Sequence, residues 1–340
     1  MNLSASISKV WSIPERIRNR GRARLMNEIG YRRMGLPFKM VQSAIRGVGI
    51  ALHPLNYASR KIGKSQFLAG TAPRNRVDPD LGYRPIPIGS LPGTDRIKKI
   101  CQQLYRDAKP TLESLGGRYG INLLTSDLEV ETRGELDLRK FPELLEFAVS
   151  DEVLATVVDY LGEIPVLAGV ELVVTTPMTE NVGNNFYHFD KPSPKQLKFW
   201  MAIEDVDAGS GPLTFLPADA SKEVRRKTGH VTGRLTDQEV YEAVPESQKI
   251  EFLGKAGEGM WVDTCRCVHF GSRTREHNRV LLMLSFFTKF WWAEPGLYFS
   301  PTQFDNTQFK NHRVQQQVLE LMVNGPTTNR WLSTVGNKAS

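Results

Sequence analysis

His188 and Asp190 stand two residues apart in the run Phe186-Tyr-His-Phe-Asp. In an extended strand, side chains two apart share a face, so this run presents an imidazole and a carboxylate together. His269, within Cys267-Val-His-Phe-Gly, lies far along the chain but becomes a third donor if a rolled sheet returns it to the same place. Two imidazoles and one carboxylate fill one face of an octahedron and leave three positions open, which is the donor set of non-haem Fe(II) oxygenases. Left apart, the same three residues are ordinary polar strand residues. The surrounding elements must decide between the two.

From Ile164 the chain reads as short apolar or alternating runs broken by Gly, Pro, Asn and Asp, the pattern of a β-sandwich or barrel. The expected strands are 166–176, 185–190, 197–206, 213–217, 251–253, 260–263, 268–270 and 279–290, with a charged insertion at 218–249 expected as a surface helix and loop. Ahead of them, Ile97, Ile100, Leu104 and Ala108 recur at helical spacing before Pro110, and a second apolar stripe runs from Phe141 to Leu161. The segment 56–93, rich in Gly, Pro and Arg, reads as an irregular connector. Helices first and strands second give an α+β protein. Its parts are a basic extension and connector (1–85), a helical region (86–163), a β core (164–295) and a tail (296–340).

The 340 residues are 40% apolar and 24% charged, ordinary for a globular protein and unlike a disordered or disulfide-stapled one. There is no long uncharged apolar run that would span a membrane and no apolar leader-like stretch in the first thirty residues. With three cysteines, a reducing, cytoplasmic setting is expected. Residues 1–65 carry a net charge of +11 and the remainder −4, so the body is not built around a polyanion. The arm, densest from Arg16 to Arg24, reads first as a solvated segment packing on its own domain or a partner subunit. Peripheral contact with anionic lipid is the second reading. Nucleic acid is disfavoured because no recognition motif accompanies the charge. The oligomeric state is left open.

Beyond His188 and Asp190 come, in order, Lys198-Phe-Trp-Met-Ala-Ile-Glu-Asp-Val-Asp, Gly211-Pro-Leu-Thr-Phe-Leu-Pro, Gly257-Glu-Gly-Met-Trp-Val-Asp, His269 and Arg279-Val-Leu-Leu-Met-Leu-Ser-Phe. This series, from Gly169 to Phe290, resembles the phytanoyl-CoA dioxygenase-like family of Fe(II)/2-oxoglutarate-dependent oxygenases. The resemblance implies a double-stranded β-helix (jelly-roll, cupin-like) core with flanking helices. It also implies His188, Asp190 and His269 as iron ligands and catalytic residues, Arg279 as the partner of the distal carboxylate of 2-oxoglutarate, and dioxygen as the other co-substrate. An Arg fork suits a dicarboxylate end, and Arg279 is the single charge on an otherwise apolar strand, with Arg275 its competitor.

Lys198 and Ser272 are further candidates for the co-substrate pocket. Ser272 is offered because Gly271 replaces the hydroxyl that some members carry two residues after the ligand. Asn185, Tyr187 and Trp200 are candidate pocket residues, whereas Cys265 and Cys267 read as buried thiols. The family's Gly-Ser-His after the proline is here Ala218-Asp-Ala. The expected reaction is hydroxylation of a small-molecule or lipid-like substrate with release of succinate and CO2. The alternative is a non-catalytic β-helix module that binds a metal or ligand and docks through its basic arm.

Overall fold

The computed structural model describes residues 53–115, 120–124, 136–178, 180–181, 183–190, 195–230, 233–289, 302–305, 307–309 and 312–324, with 40, 43, 44, 46, 47, 50 and 51. In chain order the elements are α1 (Pro54–Gly70), β1 (Tyr83–Ile86), α2 (Thr94–Leu115), β2 (Ile121–Asn122), β3 (Leu136–Asp137), α3 (Pro142–Ala148) and α4 (Asp151–Leu161). There follow β4 (Val166–Thr175), β5 (Gln196–Ala202), β6 (Thr214–Phe215), α5 (Ala218–Thr228), α6 (Asp237–Ala243), β7 (Ile250–Glu251), β8 (Gly259–Val262), β9 (His269–Phe270), β10 (Arg279–Phe287), β11 (Thr302–Gln303) and α7 (Arg313–Asn324). No described helix is long and apolar enough to cross a membrane.

Six strands form one antiparallel sheet in the order β1-β8-β5-β10-β4-β2, and three form a second in the order β7-β6-β9. Strand alternation sorts the large sheet's side chains into two cores. Leu197, Phe199, Met201, Trp261, Leu282, Leu284, Leu172 and Val174 join the helices, packing with Leu144, Leu154 and Val158 of α3 and α4. The opposite parity, Trp200, Ala202, Met260, Val262 and Leu281, packs against Phe215 of the smaller sheet and Phe252, which follows β7. The molecule is thus helix on sheet on sheet, and the space between the sheets is lined by one parity only.

Local chemistry explains the boundaries. Gly162 adopts φ 77° at the end of α4 and returns its N–H to the Val158 carbonyl, a left-handed stop that other residues resist. Thr236 and Glu239 form a reciprocal capping box that starts α6. The insertion at 218–249 is helical as expected, but its helices are not merely surface. Val224 and Val240 are fully buried with Tyr187, Leu216 and Val268 in a third cluster.

The expected strands appear, mostly shorter, except 185–190, where Asn185 closes a 3-10 turn over Gly183–Asn185 and only Tyr187 and His188 make isolated bridges, to Leu235 and His269. Pro110, expected to end a helix, lies inside α2, so the chain bears one missing N–H rather than break. The connector 56–93 departs further: it is helical to Gly70, and Tyr83–Ile86 pairs with β8 as an edge strand. A four-residue edge strand that contains a proline is too short to show in the periodicity.

Arg60 ties these outer parts to the core. It is fully buried, and its guanidinium donates to the carbonyls of Ile164 (2.9 Å), Pro165 (3.0 Å) and Gln317 (3.0 Å) and to the Glu320 carboxylate. Residues 1–39 of the basic extension, and Trp291, Trp292, Tyr298 and Phe299 of the tail, lie outside the described residues.

Candidate metal centre

His188 and His269 form an antiparallel bridge, His188 N–H to His269 O at 2.8 Å and the reverse at 3.0 Å. Directly opposed residues point to the same side, and the two rings stand 4.3 Å apart between centroids. Each Nδ1 meets a backbone carbonyl two residues earlier, Phe186 O at 2.9 Å for His188 and Cys267 O at 3.1 Å for His269. A carbonyl only accepts, so both Nδ1 atoms carry the proton and both Nε2 lone pairs are left for a metal. Asp190 completes the group: donor atoms of His188, Asp190 and His269 lie within 4.8 Å of one another, the one such convergence of His, Cys, Asp and Glu among the described residues.

The two oxygens of Asp190 have different duties. Oδ2 accepts from Gln196 Nε2 (2.6 Å), Thr264 Oγ1 (2.6 Å) and Lys198 Nζ (2.8 Å). Oδ1 faces His188 Nε2 at 3.9 Å. Three donors on one oxygen fix the carboxylate's rotation and leave the other as a monodentate ligand. Burial opposes ionisation of Asp190, but Lys198, with the histidines, outweighs it and holds the carboxyl below its usual range. Burial, reinforced by the facing His269, pushes His188 down to about 3, and burial pushes His269 down to about 4. At neutral pH the set is therefore two neutral imidazoles and one anion, the protonation state that a divalent first-row metal requires.

Gln196 and Thr264 were not legible as site residues from their spacing to His188, although Gln196 shares its strand face with Lys198. Lys198 itself lies at the site as a partner of Asp190 and 5.6 Å over the Trp200 ring. With Lys198→Met, Asp190 loses its cationic partner, and metal affinity is expected to fall about 10–100-fold, read by competition against a chromophoric chelator.

Thr264 is carried on a turn that Asp263 organises. Asp263 Oδ1 accepts from the N–H of Cys265 (3.1 Å) and Oδ2 from the Tyr160 hydroxyl (2.8 Å). Burial raises the Asp263 carboxyl to about 6 against the pull of these donors. A raised acid holds its proton in the folded chain where the unfolded chain has lost it. Its stabilising contribution is present below the ordinary aspartate pKa and is lost as pH rises through about 6. Relative to Asp263→Asn, the wild-type chain should lose about 1–3 kcal/mol of unfolding free energy between pH 4.5 and 8, measured by urea titration at each pH.

Arg279, at the start of β10, is 6% exposed and donates Nη1 to the Gly211 carbonyl at 3.3 Å. Gly211 has φ 68°, and a Cβ there would fall 2.4 Å from Thr274 N, so glycine is needed for this backbone to reach Arg279. Arg275 is exposed and engaged by Met178 O and Asn181. The Ser272 hydroxyl is buried and turned to Ser210 O (3.3 Å) and Thr274. Asn185 donates to Ser272 O, and Tyr187 points to Tyr241 in the third cluster. Cys267 is buried against the carbonyls of Leu81 and Gly82, and Cys265 is also a buried free thiol.

No protein-family model matches the chain, and no curated protein does. Among solved structures it is similar to EctD from S. alaskensis with bound Fe (16% identity, TM-score 0.43, covering 64% of this chain and 83% of that one). It is similar also to the non-heme alpha ketoglutarate dependent epimerase SnoN from nogalamycin biosynthesis (16%, 0.39, 62% and 80%). A third is HygX from Streptomyces hygroscopicus with nickel and 2-oxoglutarate bound (14%, 0.37, 62% and 83%).

Proposed function

We propose that the chain is an Fe(II)/2-oxoglutarate-dependent dioxygenase that hydroxylates a small-molecule or lipid-like substrate with release of succinate and CO2, its two sheets forming a double-stranded β-helix. The observation that carries the reading is the convergence of His188, Asp190 and His269 with both Nε2 atoms and one carboxylate oxygen left for a metal. The iron would supply activation of dioxygen, coupled to oxidative decarboxylation of the co-substrate.

Every other part belongs to the protein. His188, Asp190 and His269 hold the metal on one side, leaving positions for co-substrate and oxygen. Lys198, Gln196 and Thr264 keep Asp190 ionised and monodentate. Arg279, buried on the chamber face of β10, offers its fork to the distal carboxylate of 2-oxoglutarate. The sheets' apolar lining excludes water from the reacting atoms.

Anaerobic titration of the purified protein with Fe(II) and 2-oxoglutarate tests this directly. The visible charge-transfer band of the chelate should appear in the wild-type chain, vanish in Asp190→Ala and weaken in Arg279→Ala. A folded, iron-supplied wild-type chain without the band overturns the proposal in favour of a binding module.

A further inference from the structure

The central strands β8, β5, β10 and β4 are buried at every described position except four, which are half-buried. Those are Lys198 on β5, Met283 on β10, and Glu171 and Val173 on β4. All four have the parity that faces the smaller sheet. Register makes them one patch: Glu171 pairs with Met283 and Met283 with Trp200, while Val173 pairs with Leu281 one row away and Lys198 with Ser285 on the other side. Residual access in the middle of a sheet whose other face lies under helices marks the floor of a chamber, and the Asp190–Lys198 pair stands at its edge.

Glu171 is the anomaly of that floor. It forms no hydrogen bond and no ion pair with any described residue, and the nearby cation, Lys198, is engaged by Asp190 at 2.8 Å. Its carboxylate leans over Gly169, where a Cβ would lie 3.1 Å from Oε1, so the missing side chain leaves it room. The neighbours in its row are Met283 and Trp200. A carboxylate among apolar groups is costly unless a donor meets it, and a donor that brings its own positive charge offsets most of that cost. Met283 and the Trp200 ring suit the alkyl flank of such a group.

We propose that Glu171 is the substrate-binding carboxylate of this chamber and that the substrate carries a protonated amine. The proposal rests on the oxygenase reading for its reaction, and it names the recognition chemistry that the reading leaves open. Desolvation, which raises the Glu171 carboxyl, is relieved when the ammonium docks.

The test is calorimetric titration at pH 7 with n-hexylammonium, 1-hexanol and hexanoate, on the metal-free chain and on the chain loaded anaerobically with Fe(II) and 2-oxoglutarate. The ammonium should bind at least about tenfold tighter than the alcohol. Glu171→Gln, nearly isosteric and checked for folding by circular dichroism, should lose that preference, and Glu171→Lys should transfer it to hexanoate. Equal binding of ammonium and alcohol to the wild-type chain, or a preference that survives in Glu171→Gln, overturns the proposal. The charge-transfer band is read on the same wild-type samples. Its absence refutes the oxygenase reading alone, because the amine preference of the metal-free chain is judged on its own.

Discussion

His269→Ala is expected to leave the purified chain with background iron, below about a tenth of an equivalent, and to weaken Fe(II) binding by more than the roughly 10–100-fold that outer partners of a metal ligand command. Among the described residues the group holds two imidazoles, His188 and His269, and the other nitrogen close to Asp190 besides the Gln196 amide is the Lys198 ammonium, which has no free lone pair, so neither replaces the lost donor. His277→Ala is the matched control. That ring is exposed and bonded to Asp207 at 2.8 Å, away from the convergent group, and iron content should not change. Metal analysis after anaerobic reconstitution and desalting decides the matter, with circular dichroism confirming that both variants are folded. Full iron retention in folded His269→Ala would remove His269 from the donor set.

The largest loss of stability is expected at Arg60, far from that chemistry. Arg60→Met strands the carbonyls of Ile164, Pro165 and Gln317 and takes the guanidinium away from the Glu320 carboxylate, which also meets Lys289. Breaking a fully buried pair from one side costs about 3–5 kcal/mol, an upper bound for this ion pair because the Glu320 side chain is 27% exposed, while replacing both partners by apolar groups costs much less. Urea unfolding should therefore show the single variant far below wild type and Arg60→Met with Glu320→Leu recovering part of the difference. A single-variant loss below about 1 kcal/mol, the range of a surface pair, would show that the network does not fasten α1 and α7 to the sheet.

The sequence disclosed the donors better than it disclosed what holds them. His188 and Asp190 were legible as a pair sharing one side because a two-residue strand period is local information, and Arg279 was legible as a buried charge because one charge on an apolar strand is conspicuous. The β4, β5 and β10 strands were legible because nearly continuous apolar runs of seven to ten residues are local information as well. Lys198 was legible as a pocket candidate but not as the third donor on Asp190 Oδ2, which depends on how β5 lies beside the 188–190 segment. Thr264 reaches Asp190 across 74 residues of sequence, a contact that no local period encodes. Edge strand β1 is four residues with a proline, too short and too irregular to register against its surroundings. Arg60 looked like one more member of a basic arm, because burial is a property of the packed chain and not of charge density.

The backbone bridge between His188 and His269 has a consequence for the economy of folding. Those residues are separated by 81 positions, and the segment between them contains β5 through β8, including both helices of the insertion. A metal held by both imidazoles would be a cross-link across this long loop, stabilising the folded chain by binding it in preference to the unfolded one, in a chain whose three described cysteines are all free. Unlike a disulfide, it is reversible by chelation and sensitive to the oxidation state of the ion. Supply of the ion would accordingly govern how long the smaller sheet stays closed, as well as whether the centre can react.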